Sequence, residues 1–96
     1  MPDLFEALAT PARRAILDAL HERDGQTLFE LCGRLSTHFT LTRQAVSQHL
    51  DVLEEVGLLT VRRQGRYKHH HLNTEPLNHI VERWLKAAPP PQEEQP

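Results

Sequence analysis

The first half of this chain places apolar residues at the spacing of amphipathic α-helices. Four stretches carry apolar side chains one helical turn apart, over residues 3–9, 11–22, 28–35 and 42–56. Their stripes consist of Leu4, Phe5 and Leu8, then Ile16, Leu17 and Leu20, then Leu28, Leu31, Cys32 and Leu35, and finally Val46, Leu50 and Leu53. The pattern predicts four helices, while the polar and β-branched residues 36–41 are expected to be non-helical.

Threonine residues mark the start of three of these helices. Thr10 precedes Pro11, a residue that is tolerated at the first helical position, and Thr42 can cap the fourth helix. Thr27 is followed three residues later by Glu30, the spacing of a capping box. Each of these side chains can accept a hydrogen bond from a backbone N–H that lacks a partner within the helix. The helix starts are therefore predicted at residues 11, 28 and 43.

The pattern changes after Gly57, which is expected to end the fourth helix. Two short runs, residues 58–63 and 67–72, are rich in β-forming side chains and cations. Between them lies Gln64-Gly65-Arg66, where the glycine can supply the backbone conformation of a tight turn. The sequence thus predicts a β-hairpin with a basic tip.

A fifth helix is predicted after the hairpin. Asn73 or Thr74 begins it, and Pro76 falls in its first turn, where a missing N–H is tolerated. Its apolar face consists of Leu77, Ile80, Val81, Trp84 and Leu85. Prolines from residue 89 onward end it, so residues 1–88 are expected to form one domain and residues 89–96 a disordered tail. The fold class is mainly α with a small β-hairpin (α+β), in the order α-α-α-α-β-β-α.

Charge separates the two ends of this predicted domain. The chain has 96 residues, the size of a single domain, and a net charge of -2, so its overall balance does not indicate a nucleic-acid partner. Residues 57–71 nevertheless carry four cations and no acid, whereas residues 1–31 carry six acids against three arginines. The hairpin is therefore the basic end of the molecule.

The remaining composition argues against several classes of protein. The single cysteine, Cys32, leaves no disulfide framework and no cysteine pair for zinc or redox chemistry, which fits a reducing, cytoplasmic setting. Neither an export leader nor an apolar run near about 18 residues, the length of a membrane span, is visible. A nucleophile triad, a phosphate-binding glycine loop and paired carboxylates are also missing from the sequence, so the chain is not expected to be an enzyme.

A helix pair followed by a basic hairpin is the arrangement of winged helix-turn-helix DNA-binding domains. The second helix of the pair enters the major groove, and the hairpin reaches neighbouring backbone or minor groove. The free face of the fourth helix is polar, which is also the default for a solvated helix, but the acid-free hairpin beside it favours DNA binding. The side chains expected to contact DNA are Thr42, Arg43, Gln44, Ser47, Gln48 and His49 on the helix, and Arg62, Arg63, Gln64, Arg66 and Lys68 on the hairpin.

Three segments of the chain combine into a specific set of motifs. They read Leu-Ala-Thr-Pro-Ala-Arg-Arg-Ala-Ile-Leu at 8–17, Ala-Val-Ser-Gln-His-Leu-Asp-Val-Leu-Glu-Glu-Val-Gly-Leu-Leu at 45–59, and Arg-Arg-Gln-Gly-Arg-Tyr-Lys at 62–68. From Leu8 to Leu85 the chain resembles an ArsR-type (arsenic-repressor-like) winged helix-turn-helix regulator. The resemblance implies a homodimer packed through its first and last helices, a recognition helix from Thr42 to Val56, and repression from an inverted-repeat operator in double-stranded DNA.

The apolar residues at the two ends of the domain give a separate reason to expect a dimer. A chain of this size has a small core, and apolar side chains beyond what it can cover indicate a partner surface. The residues expected at the dimer interface are Leu4, Phe5, Leu8, Leu77, Ile80, Val81, Trp84 and Leu85.

Many members of the family release DNA when they bind metal, and this chain departs from both of the family's metal motifs. The usual site in the third helix is a Cys-x-Cys pair, but Arg34 follows Cys32 at the second position, so Cys32 is expected to be a core residue. In the second motif, Asp-x-His is followed by His-x-x-Glu. His79 and Glu82 match its second half, while the other half falls on the cations Arg66 and Lys68. No metal cofactor is therefore predicted.

The consecutive histidines His69, His70 and His71 are a further candidate for metal binding. Successive strand residues point to opposite faces, so at most two of the three share a face. The favoured interpretation is a hairpin strand whose histidines lie near DNA phosphates or the domain body. Two alternatives stay open: a metal-responsive repressor with ligands such as His69, His71 or His79, and a winged-helix module for protein interaction. The operator sequence and any inducer depend on side-chain placement and DNA shape, which the sequence does not specify.

Overall fold

Capping residues start the central helices where the sequence predicts them. The computed structural model of the chain describes residues 2–86. Three of its helices each follow a threonine whose hydroxyl oxygen accepts a hydrogen bond from the N–H three residues later. They are α2 (Pro11–Glu22), α3 (Leu28–Leu35) and α4 (Arg43–Glu55). The predicted bounds of α2 and α3 are confirmed, as is the non-helical connection between α3 and α4, while α4 is one residue shorter at each end than the predicted 42–56.

The first helix, α1 (Leu4–Ala7), is shorter than the predicted residues 3–9. Asp3 caps it, and Glu6 completes a capping box that the sequence analysis did not identify. Its end is held by side chains of α2. The Arg13 guanidinium donates to the carbonyl of Ala7 through Nε at 2.8 Å, and Arg14 donates to that of Leu8 at 2.6 Å. These arginines, and not a further helical turn, satisfy the carbonyls at the end of α1.

One apolar core joins the four helices to the hairpin. Cys32 is half-buried against this core, which confirms its expected place, and Phe39 and Leu41 pack on it from the connection between α3 and α4. The fully covered members are Ala7, Ile16, Ala19, Leu20, Leu31, Leu35, Val46, Leu50, Leu53, Leu58 and Leu59.

Strands β1 (Leu59–Gln64) and β2 (Tyr67–Leu72) form the predicted antiparallel hairpin. Their register pairs Leu59 with Leu72 at the base and Gln64 with Tyr67 at the tip. The turn therefore contains only Gly65 and Arg66. The prediction that Gln64 belongs to the turn was wrong, because the positive φ of 63° at Gly65 closes the chain within two residues.

The three consecutive histidines attach β2 to the loop between α2 and α3. Nδ1 of His69 lies 2.9 Å from the carbonyl oxygen of Gly25, and Nδ1 of His70 lies 2.8 Å from that of Gln26. A carbonyl oxygen only accepts, so each of these Nδ1 atoms carries the proton. Nδ1 of His71 lies 2.9 Å from a carboxylate oxygen of Asp24. The histidines thus contact the domain body, as the favoured interpretation expected.

Backbone hydrogen bonds and a buried amide reinforce this attachment. Gln26 forms an isolated antiparallel bridge to His70. The N–H of Gly25 donates to the carbonyl of His70, and the N–H of His70 donates to the carbonyl of Gln26, each with an N to O distance of 2.9 Å. The side chain of Gln26 is buried and donates to the carbonyls of Ala19 and Arg23. The base of the hairpin is consequently fixed to the end of α2.

Asp24 supplies an ionic contribution to the same junction. Its second carboxylate oxygen accepts a hydrogen bond from the N–H of Leu72 at 2.7 Å. Burial opposes ionisation of this carboxyl, but the bond from Leu72 together with the hydrogen bond and charge of His71 lowers the pKa of Asp24.

The last segment is less regular than the single α-helix that the sequence predicts. It consists of a 3₁₀ turn (Glu75–Leu77), one short α-helical stretch α5 (Asn78–Ile80) and a π-helical stretch (Val81–Lys86). Thr74 makes no side-chain cap, and its carbonyl accepts from the N–H of Leu77 at 2.9 Å. Pro76 has no N–H to donate, which favours this tighter turn. The prolines and the predicted tail, residues 89–96, lie outside the described residues.

Candidate nucleic-acid interface

Helix α4 presents a polar face beside the hairpin. Val46, Leu50 and Leu53 are buried in the core, as predicted. Thr42 is exposed at the N-terminus, where its hydroxyl accepts from Ala45 N–H at 2.9 Å. On the opposite side of the helix the polar residues Arg43, Gln44, Gln48 and Asp51 are exposed. Ser47 and His49 are half-buried.

The hairpin residues predicted to contact DNA fall on both of its faces. The four cations Arg62, Arg63, Arg66 and Lys68 and the amide Gln64 are all exposed. Side chains two apart share a face of a strand, so Arg63 and Lys68 lie on the face that continues to the buried Leu59 and His70. Arg62 and Gln64 lie on the other face.

Arg63 and Lys68 stand directly opposite each other in the β-ladder. Like charges directly opposite each other in an antiparallel pair of strands are destabilising. No carboxylate among the side chains described for residues 2–85 forms an ion pair with either of them. A repulsive pair of this kind is relieved when an anion binds between or beside the two cations.

A cleft of about 350 Å³ separates α4 from this face of the hairpin. Arg43 and Ser47 line it from α4, and Arg63 and Lys68 line it from the hairpin. The structure therefore brings together residues from both of the predicted DNA-contacting sets.

The arginines and lysines of residues 2–85 divide into two groups. Those of α2 and α3 are engaged within the fold: Arg13 and Arg14 on carbonyls of α1, Arg23 with Glu30 at 3.6 Å, and Arg34 with Glu22. Arg83 lies 4.6 Å from the ring centre of Trp84. Within this same range, five cations make no hydrogen bond, ion pair or ring contact through their side chains, namely Arg43, Arg62, Arg63, Arg66 and Lys68. In this part of the chain, the cations without a partner are all on α4 and the hairpin.

His49 differs from the other candidates on α4 because it faces the domain body. Its Nδ1 lies 3.2 Å from Nη1 of Arg13. The guanidinium can only donate, so Nδ1 of His49 is the acceptor and is unprotonated. Burial, and secondly the positive charge of Arg13, lower the pKa of His49 below its usual value.

Two aromatic residues at this cleft were not predicted from the sequence. Phe29 on α3 and Tyr67 on β2 both line it and are exposed. Phe29 lies outside the apolar stripe of α3, and Tyr67 reads as an ordinary β-forming residue. The only signal for them in the sequence was the presence of large apolar rings at positions where the helical and strand patterns predict solvent.

The candidate metal-ligating residues do not converge. Arg34, at the position of the family's second cysteine, is paired with Glu22. His79 lines grooves formed with α1, whereas His69 and His71 line a groove on the hairpin with Arg62 and Gln64. Among the described residues no three His, Cys, Asp or Glu side chains are arranged to hold a metal ion.

The residues predicted at the dimer interface differ in exposure. Leu4, Leu8 and Leu77 pack partly against the core of their own chain, and Ile80 and Val81 are half-buried. Phe5, Trp84 and Leu85 remain exposed at 47%, 51% and 70%. The Phe5 and Trp84 rings meet edge to face with centroids 5.9 Å apart, so α1 and the last segment form one apolar surface.

The α3–α4 pair, the cationic hairpin and the cleft between them define a winged helix-turn-helix domain. A helix-turn-helix domain family matches residues 8–62. An uncharacterised helix-turn-helix transcriptional regulator of Bacillus subtilis, YuzN, is 46% identical over 85 residues, which cover 86% of this chain and 92% of that protein. The transcriptional repressor SdpR of Bacillus subtilis is 29% identical over 85 residues, with 88% of each chain covered.

A solved ArsR family transcriptional regulator superposes with a TM-score of 0.68 at 33% identity, covering 84% of this chain and 77% of that one. The chain belongs to the ArsR-type family of winged helix-turn-helix proteins. It is a DNA-binding transcriptional regulator and not an enzyme, as the sequence predicts. No helix within residues 2–86 has the length and apolarity needed to cross a bilayer.

Proposed function

We propose that this protein is a dimeric, cytoplasmic transcriptional repressor that binds an inverted-repeat operator without control by metal. Helix α4 reads base edges in the major groove, and the hairpin contacts the DNA backbone. The observation that supports a DNA interface here is the position of the cations that lack a partner. Among residues 2–85, all five of them lie on α4 and the hairpin. Phosphates supply the charge that these side chains lack.

The dimer follows from the apolar surface formed by Phe5, Trp84 and Leu85. Large exposed apolar side chains gathered at one place mark an interaction site. A two-fold dimer presents two copies of α4, which matches an operator of two inverted half-sites. Similarity to the repressor SdpR supports repression as the output.

Independence from metal follows from the side chains at the positions where ligands would be needed. Arg34, Arg66 and Lys68 are cations and cannot coordinate a metal ion. His69 and His71 bond to the 24–26 loop through Nδ1, and among the described residues no further His, Cys, Asp or Glu side chain joins them in a group of three that could hold a metal ion. A metal-responsive repressor would therefore need a ligand set of a different kind.

The test is an electrophoretic mobility shift with the DNA upstream of the gene, in the presence of a chelator and then of zinc, cadmium or arsenite. We expect a specific shift that none of these additions changes. A change of affinity above about tenfold, which equals about 1.4 kcal/mol of coupling, would contradict metal independence. The absence of any shift on upstream or random DNA at low salt would favour a module for protein interaction.

A further inference from the structure

Two exposed aromatic rings flank the cationic cleft between α4 and the hairpin. Phe29, in the first turn of α3, has 73% of its surface exposed, and Tyr67, the first residue of β2, has 62%. Apolar rings of this size are covered by a partner more often than they are left in water, and here two of them line the same cleft. The rings come from different elements, so they are brought together only by the fold.

Arg43 lines the cleft together with both rings. Phe29, Arg43 and Tyr67 also line a second depression with Glu30, whose carboxylate accepts from Thr27 and pairs with Arg23. The acids of the cleft itself, Asp51 and Glu54, belong to later turns of α4. The cation without an ion-pair partner thus lies at the end of α4 that carries the rings, and the acids of the cleft lie toward the other end.

This combination of rings and cations fits one strand of a DNA duplex. A nucleic-acid strand alternates apolar deoxyribose faces with anionic phosphates, and the cleft offers the two rings together with the cations Arg43, Arg63, Arg66 and Lys68. An acidic protein segment would satisfy the cations, but it would leave the rings without apolar surface at a regular spacing. The acids at the far end of the cleft repel a phosphate and restrict the strand to the end with the rings.

We propose that Phe29 and Tyr67 form an aromatic clamp on the sugar-phosphate backbone of bound DNA. The rings pack against deoxyribose, and Arg43 and Lys68 meet the adjacent phosphates. This inference rests on the DNA interface proposed above. It adds a contact from α3, an element outside the recognition helix and the hairpin.

An apolar clamp has a consequence that distinguishes it from the cationic contacts. Packing a ring on a sugar releases no counterions, so removing the ring lowers affinity without changing the dependence of affinity on salt concentration. Sugars are the same in every sequence, so the loss is equal on operator and on random DNA. Removal of a cation, by contrast, reduces the log-log salt slope by about one unit for each phosphate that the protein no longer neutralises.

The experiment compares Phe29→Ala and Tyr67→Ala with the wild type on operator and random DNA over a range of salt concentrations. We expect each to weaken both complexes by about fivefold to tenfold, as expected for uncovering part of an aromatic ring, at an unchanged salt slope. Phe29→Tyr and Tyr67→Phe retain the rings and should bind within about twofold of the wild type. Arg66→Ala is the matched cationic control, with a smaller slope. Thermal unfolding verifies that each variant is folded.

The possible outcomes separate this inference from the proposed function. If Arg66→Ala weakens binding and lowers the slope while both alanine variants bind like the wild type, the clamp is wrong and the DNA interface stands. A lowered slope in Phe29→Ala or Tyr67→Ala, or a loss on operator DNA alone, would also overturn the clamp. If the wild type binds no DNA, both the clamp and the proposed function fail.

Discussion

Arg13 and His49 connect α1, the helix that carries part of the apolar surface, to α4. Nη1 of Arg13 lies 3.2 Å from Nδ1 of His49, while Nε and Nη2 donate to the carbonyls of Ala7 and Glu6 at 2.8 and 2.9 Å. A helix of four residues such as α1 is not stable alone and depends on contacts of this kind. One guanidinium therefore sets the position of α1 relative to α4.

The first prediction concerns the stability that this guanidinium provides. Arg13→Ala leaves two carbonyls and the His49 acceptor without their donors, and should lower the free energy of unfolding by about 1 to 3 kcal/mol. Arg14→Ala is the matched control, because the Arg14 side chain makes a single bond, to the carbonyl of Leu8. Urea denaturation measures the free energy of unfolding of both variants. Equal losses in the two variants would show that the bridge to α4 contributes nothing.

The lowered pKa of His49 predicts a dependence of stability on pH. Its pKa in the fold lies below that of the unfolded chain, about 6.5, so the unfolded state binds the proton more readily. The stabilisation is complete above about pH 6.5 and is lost as the pH falls toward the lowered value. In His49→Gln the free energy of unfolding should fall less steeply over this range. If the free energy of unfolding depends on pH equally in the variant and the wild type, His49 is not the group responsible.

The helix and the hairpin should respond differently to substitution. Gln48→Ala or Ser47→Ala should cost about 1 to 3 kcal/mol on operator DNA and relax discrimination at particular base pairs, with little effect on random DNA. Arg66→Ala or Lys68→Ala should weaken operator and random DNA together and flatten the salt dependence. Titrations at several salt concentrations distinguish the two classes. Unchanged affinity and slope in Arg66→Ala would show that the hairpin does not touch DNA.

The exposed surface at α1 and the last segment predicts the oligomeric state. Trp84→Ala or Leu85→Asp should give monomers, because the first removes the Phe5 contact and the second places a charge in the apolar surface. Phe29→Asp, at an equally exposed ring on α3, is the control and should remain dimeric. Sedimentation at micromolar concentration measures all of them. If the wild-type protein sediments as a monomer, the proposed dimer is wrong.

The attachment of β2 to the 24–26 loop predicts a structural role for His70. His70→Ala should lower the free energy of unfolding by about 0.5 to 1.5 kcal/mol, because the buried carbonyl of Gln26 loses the imidazole donor and keeps only the backbone N–H of His70. His70→Asn, which retains a short donor, should recover part of the loss. A hydrogen-exchange measurement should show faster exchange at the base of the hairpin in the alanine variant. Zinc should not rescue it, since no metal site is involved.

Local signals made α2, α3, α4 and the hairpin predictable. Thr10, Thr27 and Thr42 each act on a backbone N–H three residues away, and Gly65 acts within its own turn. The polar face of α4 was predictable for the same reason, since it follows from the spacing of its apolar stripe.

Contacts between distant positions could not be predicted. The histidines of β2 bond to a loop 44 to 47 residues earlier, and Arg13 meets His49 across 36 residues. Spacing along a single element carries no information about such pairs. The exposed rings of Phe29 and Tyr67 were not predicted either, because their place at one cleft depends on how α3 and the hairpin pack.

The histidine attachment lies wholly at the base of the hairpin, and the turn at Gly65 and Arg66 takes no part in it. Changes of length or sequence at the tip therefore leave the bonds to the 24–26 loop intact. During evolution, a domain of this design can therefore gain or lose cations at the tip without losing the bonds that hold the hairpin. The turn of the hairpin is structurally separate from the part that fixes it to the domain.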